Sequence, residues 1–220
     1  MPETLEQLFS EEDRKRIQEA VAEAEKETGG EIVPYAVHAS DPYHEALWIA
    51  GLLFGVVGVG VCVLLLHFVQ SWRPFELTEV LLGILGAMLG GILLTRYINP
   101  LKRFFAGKEA MTRRVAQRAA EAFLAEEVFD TRDRTGVLIF LSLFERKVLV
   151  LGDAGINAKV RKEQWEDIAA TIVEGMRSGK PADGLVEAIR RCGKLLKVEE
   201  VTRRPDDTNE LDNTLRTSES

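Results

Sequence analysis

"RTGVLIFLSLFERKVLVLGDAGI", residues 134–156, decides the fold. Val137 to Leu143 is an apolar run broken only by Ser142, Glu145 and Arg146 make a charged corner, and Lys147 to Leu151 return a second run. An apolar run without polar alternation suits a strand covered on both faces. The corner makes the pair a hairpin. Gly152-Asp153-Ala154-Gly155 closes it. A Walker-type phosphate loop needs Lys and Ser or Thr after its last glycine, and a dinucleotide turn needs three spaced glycines. Neither is present, so this loop reads as the turn by which the chain leaves the sheet for a helix, with Gly152 and Gly155 expected in unusual dihedrals.

Strands covered on both faces require helices on both faces, and the flanking sequence supplies them. Trp165, Ile168, Ile172 and Met176 recur at helical spacing, as do Leu185, Ile189, Cys192 and Leu196, with Gly179-Lys180-Pro181 between the two stripes. Upstream, Met111, Val115, Ala119, Ala122 and Phe123 predict a helix to about Phe129, followed by a polar connection, "DTRDRTG". Near the start, Ser10 and Asp13 form a capping-box pattern ahead of Ile17, Ala20, Val21 and Ala24, and Gly29-Gly30 ends that helix. "EIVPYAV", residues 31–37, follows as a strand, with Pro34 arguing for an edge or a bulge. One helix and one strand cannot build a core. The predicted fold class is therefore α/β, a small α/β/α sandwich assembled from both ends of the chain.

What separates the two ends is apolar. Ala46–Val69 holds no Asp, Glu, Lys or Arg in 24 residues, and Leu77–Ile98 holds only Glu79 and Arg96, near its ends. A helix of the first length spans about 36 Å, enough for a hydrocarbon layer of roughly 30 Å. The expectation is a two-helix transmembrane hairpin turned by Gln70–Glu76, with Trp72 and Pro74 suited to an interface. Gly51-xxx-Gly55 and Gly86-xxx-Gly90 are the expected helix-packing pairs, since small residues let backbones approach in lipid. The predicted organisation is 1–45, first helix and strand; 46–98, hairpin with spans 46–69 and 77–98; 99–202, remainder of the sandwich; and 203–220, a loose polar, acidic tail. A hairpin returns the chain to the side it left, about 8–10 Å away, so the two parts can rejoin.

Basic residues set the predicted orientation. Lys102, Arg103, Lys108, Arg113, Arg114 and Arg118 follow the second span, Lys26 alone lies in the 20 residues before the first, and the connecting loop holds only Arg73. The positive-inside rule then places both termini in the cytoplasm. Lys102, Arg103 and Lys108 are the expected lipid-headgroup contacts, each worth about 1 kcal/mol at an anionic surface. A net charge of −7 argues against nucleic acid. Cys62 in a span and Cys192 in a helical stripe give no disulfide framework. His38, His44 and His67 fall short of a zinc site, and no hydrolase elbow is present.

With the elements placed, the chain resembles the TPM-domain family. The resemblance runs through "FSEEDRKRIQEAVAEAEKETGGEIVPYAV", the opening stretch, "SGKPADGLVEAIRRCGKLL" and "NELDN". It looks closest to a bacterial, membrane-anchored branch with a transmembrane hairpin inserted after the first strand. The family fold it implies is again an α/β/α sandwich. It further implies an accessory role beside LemA-type partners for many bacterial members, phosphatase activity for some plant members and cation binding for others. Many relatives lie outside the cytoplasm, whereas the charges here point inward.

Two functions follow as expectations. The first is a multi-pass inner-membrane accessory or scaffold that binds another membrane protein, LemA-type or other, at the cytoplasmic face. The alternative is a cation-dependent phosphatase centred on Asp130, Asp133 and Asp153. Those three carboxylates belong to one end of the predicted hairpin, and converging carboxylates are what Ca²⁺ or Mg²⁺ require. The competing reading pairs them with Arg132 and Arg134 in solvated loops.

Overall fold

A computed structural model of the chain describes residues 5–69, 76–199, 201 and 210–218. The chain divides into two compact units, one formed by the segments up to Asp41 and from Thr112 onward, the other by Pro42–Met111. In chain order the elements are α1 (Leu5–Leu8), α2 (Glu11–Lys26), β1 (Glu31–Val37), α3 (His44–Val69), α4 (Leu77–Tyr97), α5 (Asn99–Ala106), α6 (Lys108–Ala125), β2 (Gly136–Ser142), β3 (Lys147–Gly152), α7 (Ala154–Asn157), α8 (Lys162–Arg177), α9 (Pro181–Val198) and β4 (Arg216–Ser218).

The sheet order is β3-β2-β1-β4. β1 runs parallel to β2 from Glu31 opposite Gly136 to Val37 opposite Ser142, and β2 pairs antiparallel with β3. Every residue of β1 and β2 is buried, which is why neither shows polar alternation. Ile32, Ala36, Val137, Ile139 and Leu141 face one core, where the stripes of α2, α8 and α9 pack. Val33, Tyr35, Val37, Leu138 and Phe140 face the other, against Val115, Ala119 and Ala122 of α6. The Tyr35 and Phe140 rings stack across the parallel register with centroids 5.8 Å apart. The α/β/α sandwich read from the sequence is thus the fold of this unit.

Local signals explain the boundaries. Ser10 Oγ accepts from the Asp13 N–H, and the Asp13 carboxylate accepts from the Ser10 N–H, both at 3.2 Å, closing the capping box that starts α2. Gly179 turns with φ 74° and Pro181 opens α9. A feature the apolar stripes did not announce is the crossing of α8 and α9. A Cβ on Gly175 would stand 2.6 Å from the Gly184 Cα, so only two glycines allow the helices this close. α6 ends at Ala125, and a turn carries the chain through Phe129.

Pro34 lies on a strand with neighbours on both sides, not on a simple edge, and its place shows how a sheet tolerates it. The Ile32 N–H, two residues earlier and so on the same side of the strand, points away from β2 and donates to Glu25 Oε1 at 2.9 Å. β4 joins that side only from Tyr35 onward. Pro34 therefore removes a donor where no strand would have accepted it.

The expected loose tail is corrected over 210–218; residues 202–209 lie outside the described residues. β4 pairs with β1, and Leu215 and Asn213 are buried. The Glu31 carboxylate accepts from the N–H groups of Glu210 and Leu211, and Asn213 Nδ2 donates to Glu25 Oε2 at 2.7 Å. Acidic composition concealed these residues' role because their partners are more than 170 positions away.

In the second unit, α3 packs along α4. The stretches His44–Phe68 and Leu77–Tyr97 are long and apolar enough to cross a membrane. Trp48, Leu52, Val56, Leu82 and Leu89 are each more than half exposed, the pattern of helices meant for an apolar surrounding. The seam uses other glycines than expected. A Cβ on Gly51, Gly58 or Gly91 would stand 2.7, 2.9 or 2.6 Å from Ile92, Ala87 or Phe54 respectively. A Cβ on Gly55 would make ordinary contact with Met88 at 3.8 Å, while one on Gly86 or Gly90 would meet nothing within 4 Å. The Gly86-xxx-Gly90 pair is corrected: it faces away from α3. Residues 70–75, with Trp72, Arg73 and Pro74, lie outside the described residues.

Candidate functional site

The closing loop of the β2–β3 hairpin is held from several directions. Asp153 caps α7, its Oδ1 accepting from the Ala154 N–H at 2.7 Å. The Arg134 guanidinium grips the same carboxylate as a fork, Nε to Oδ2 at 2.8 Å and Nη2 to Oδ1 at 3.2 Å. Arg134 reaches it from a left-handed turn, φ 57°, with its guanidinium 5.6 Å from the Phe129 ring centre. Gly155 lies so close to the preceding loop that a Cβ would come within 2.5 Å of the Asp133 carbonyl oxygen. Its N–H donates to the Arg134 carbonyl. The glycines of "GDAGI" thus serve a turn, as the sequence argument expected, and close packing; the unusual dihedrals expected of Gly152 and Gly155 are corrected, since neither has a positive φ.

Asp130 and Asp133 sit in that preceding loop, both exposed, while Asp153 is buried. Asp153 Oδ1 accepts both hydrogen bonds, while the buried Oδ2 is met only by the Arg134 charge, without an aligned hydrogen bond. Among the described residues, no three His, Cys, Asp or Glu side chains are grouped to hold a metal ion. The Asp130, Asp133 and Asp153 set is therefore corrected: the loops meet, but their carboxylates do not converge. The arrangement gives the phosphatase alternative no support.

A second polar region escaped sequence reasoning. The tail and the end of α6 border an open cleft of about 510 Å³, lined by Glu126, Glu127, Glu210, Asp212 and Arg216 among others. Arg216 Nη1 bonds the Glu126 carboxylate and, at 3.2 Å, its carbonyl oxygen. The Arg132 N–H donates to Glu210 Oε2 at 3.1 Å. Four carboxylates around one guanidinium leave the walls acidic, a surface for cationic groups. The "NELDN" segment was the one available signal.

A third cluster lies at the carboxyl ends of β1 and β2. Glu145, a buried residue, accepts from the Ser40 N–H at 2.9 Å and from Ser142 Oγ, while the Ser40 and Ser142 hydroxyls are 2.9 Å apart. Asp41 pairs with Arg114 at 3.2 Å. These bonds tie the chain leaving β1 to the β2–β3 corner and to α6. Lys102 and Arg103 stand on α5, and Lys108 opens α6. Cys192 is fully buried in α9, and loss of water pushes its thiol up to about 12, far from a reactive thiolate.

This is a mixed α/β sandwich with an inserted pair of apolar helices. A family model described as TPM domain matches residues 107–195, which agrees with the TPM-domain family reading made from the sequence. The structure adds that β1 and the tail, outside the matched residues, complete the same sheet. Among solved structures, the chain is similar to the BA42 protein of the psychrophilic bacterium Bizionia argentinensis, determined by NMR. The TM-score is 0.59 at 20% identity, with 98% of this chain and 99% of that chain covered. At that identity the likeness speaks for the fold alone. No curated protein matches the chain.

Proposed function

We propose that the protein is a bacterial inner-membrane accessory protein, anchored by α3 and α4, that holds its TPM domain at the cytoplasmic face to bind another membrane protein. The observation that carries this reading is the exposed apolar surface along α3 and α4, inserted between two strands of one sheet. Both termini then lie on the cytoplasmic side, with Lys102, Arg103 and Lys108 at anionic headgroups. The acidic cleft beside the tail is the docking surface, and a basic segment of a membrane partner, LemA-type or other, is the ligand its charge favours.

In-cell photo-crosslinking tests this. A crosslinking residue at Glu127 or Asp212, both exposed at the cleft, is expected to capture one membrane protein that the same residue at Glu163 on α8 does not. Capture from all three sites alike, or from none, overturns the docking assignment. Release of the chain from membranes by alkaline carbonate overturns the anchor.

A further inference from the structure

α5 is a short helix that neither the apolar spans nor the sandwich required. Ile98 separates it from α4 by a single extended residue, φ −105° and ψ 93°, and serves as both the C-cap of α4 and the N-cap of α5. Pro100 in the first turn fits there without loss of a helical hydrogen bond. The chain is thereby redirected, and α5 packs back against both α3 and α4. Ala106 is buried, Leu101 and Phe105 are half-buried, and Phe104 stands 76% exposed, edge-on to Phe105 with ring centres 5.3 Å apart. Tyr97, the last residue of α4, is 77% exposed.

We infer that α5 is an interfacial helix whose partner is the anionic lipid surface itself. This rests on the membrane-anchored reading. With the exposed sides of α3 and α4 in hydrocarbon, an element fixed to the end of α4 and packed on both helices lies at headgroup depth. Aromatic rings with one wet side collect at that level, and Lys and Arg stems reach from it to the phosphates. Phe104 and Tyr97 enter the boundary between acyl chains and headgroups, while Lys102 and Arg103 supply the charge for an anionic leaflet. α5 thereby reads the lipid composition under the domain, a role separate from spanning the bilayer.

The test uses the full chain carrying Cys62→Ala, with a spin label on Phe104→Cys, in vesicles of phosphatidylcholine alone or mixed with phosphatidylglycerol. Collisions with oxygen and with a water-soluble nickel chelate report depth. Leu85→Cys in the middle of α4 and Glu187→Cys on α9 serve as deep and aqueous references. The expected result is several-fold fewer nickel collisions at 104 than at 187, oxygen access below that at 85, and a further drop with phosphatidylglycerol. Lys102→Gln with Arg103→Gln is expected to abolish that further drop alone. A 104 label as open to nickel as the 187 label, with 85 still deep, overturns the inference and spares the anchor. A water-exposed 85 label overturns both. Tyr97→Cys repeats the measurement should labelling at 104 disturb the helix, with the same two outcomes.

Discussion

Asn213 is expected to be the fastening of the C-terminal strand. Its Nδ2 donates to Glu25 Oε2 at 2.7 Å, while the other oxygen of Glu25 accepts from the Ile32 N–H at 2.9 Å. One carboxylate thus joins α2, the outer flank of β1 and the tail. Asn213→Ala removes a hydrogen bond to a charged acceptor, worth about 1.5–3 kcal/mol. Because Glu25 is only half-buried and can recover water, the lower figure applies. At about 1.4 kcal/mol per factor of ten, the population in which 210–218 has lifted rises roughly tenfold. Asp212→Ala is the control. Among the described residues its carboxylate bonds only the N–H and hydroxyl of Thr214, two residues on, at an exposed position. Its loss should cost at most about 0.5 kcal/mol, or roughly twofold. Amide exchange of the detergent-solubilised protein, followed in peptides covering 216–218, reads local opening directly. Exchange within twofold of the parent for Asn213→Ala, or equal acceleration by Asp212→Ala, would refute the fastening.

Gly91→Val should cost about 1–3 kcal/mol, because its branched side chain meets Phe54. Gly86→Val faces open space and should leave the midpoint of thermal unfolding in detergent nearly unchanged, so equal effects would count against the seam described here. Replacing residues 42–107 by a linker of about eight Gly and Ser residues, reaching up to roughly 28 Å, should give a soluble, cooperatively unfolding domain. The Asp41–Arg114 pair at 3.2 Å keeps the two cut ends within that reach; a product without a sharp urea transition would speak against an independent core. In that domain Cys192 gives a pH signature. Its thiol is held neutral up to about 12 in the fold, whereas the unfolded thiol ionises near 8.5. The associated stability is complete below the unfolded value and falls as pH climbs toward the folded one, by at most about 1.4 kcal/mol per pH unit. Urea midpoints at two alkaline pH values should therefore differ less in Cys192→Ala than in the parent, and identical pH slopes would discard the argument.

What the sequence disclosed and what it hid differ in range. Val137–Leu143, the Ser10–Asp13 box and the stripes of α8 and α9 are local patterns, and each produced its element. The glycine spacing in α3 and α4 defines stripes but not which azimuth faces the partner helix. Gly86 and Gly90 share their spacing with useful pairs yet point away, while Gly58 and Gly91 make the contact. Asp153 could be read as a cation ligand or as a partner of Arg134, and the left-handed turn at Arg134 shows how the second arrangement is reached. The tail read as solvated because Glu25, Glu31 and Glu126, which hold it, lie far away in sequence. α5 was hidden by its length, since eight residues beginning with Asn-Pro carry too little periodicity to separate from a loop.

The sheet itself constrains how the chain can be threaded through a membrane. Adjacent parallel strands must be joined by a crossover, normally a helix packed on one face. Between β1 and β2 that helix is α6, whose Val115, Ala119 and Ala122 cover the core beside Tyr35 and Phe140. The apolar helices therefore interrupt the first connection of a strand-helix-strand unit rather than separating two domains. Loop closure grows only slowly with the length inserted, so such an interruption is tolerated if its ends return together. An odd number of crossings would put β1 and α6 on opposite sides of the bilayer, and the seven-residue register from Glu31–Gly136 to Val37–Ser142 could not form. In an anchored chain an even number of crossings is thus a condition of the fold, independent of any count of Lys and Arg. The basic residues after α4 decide only which side both ends share.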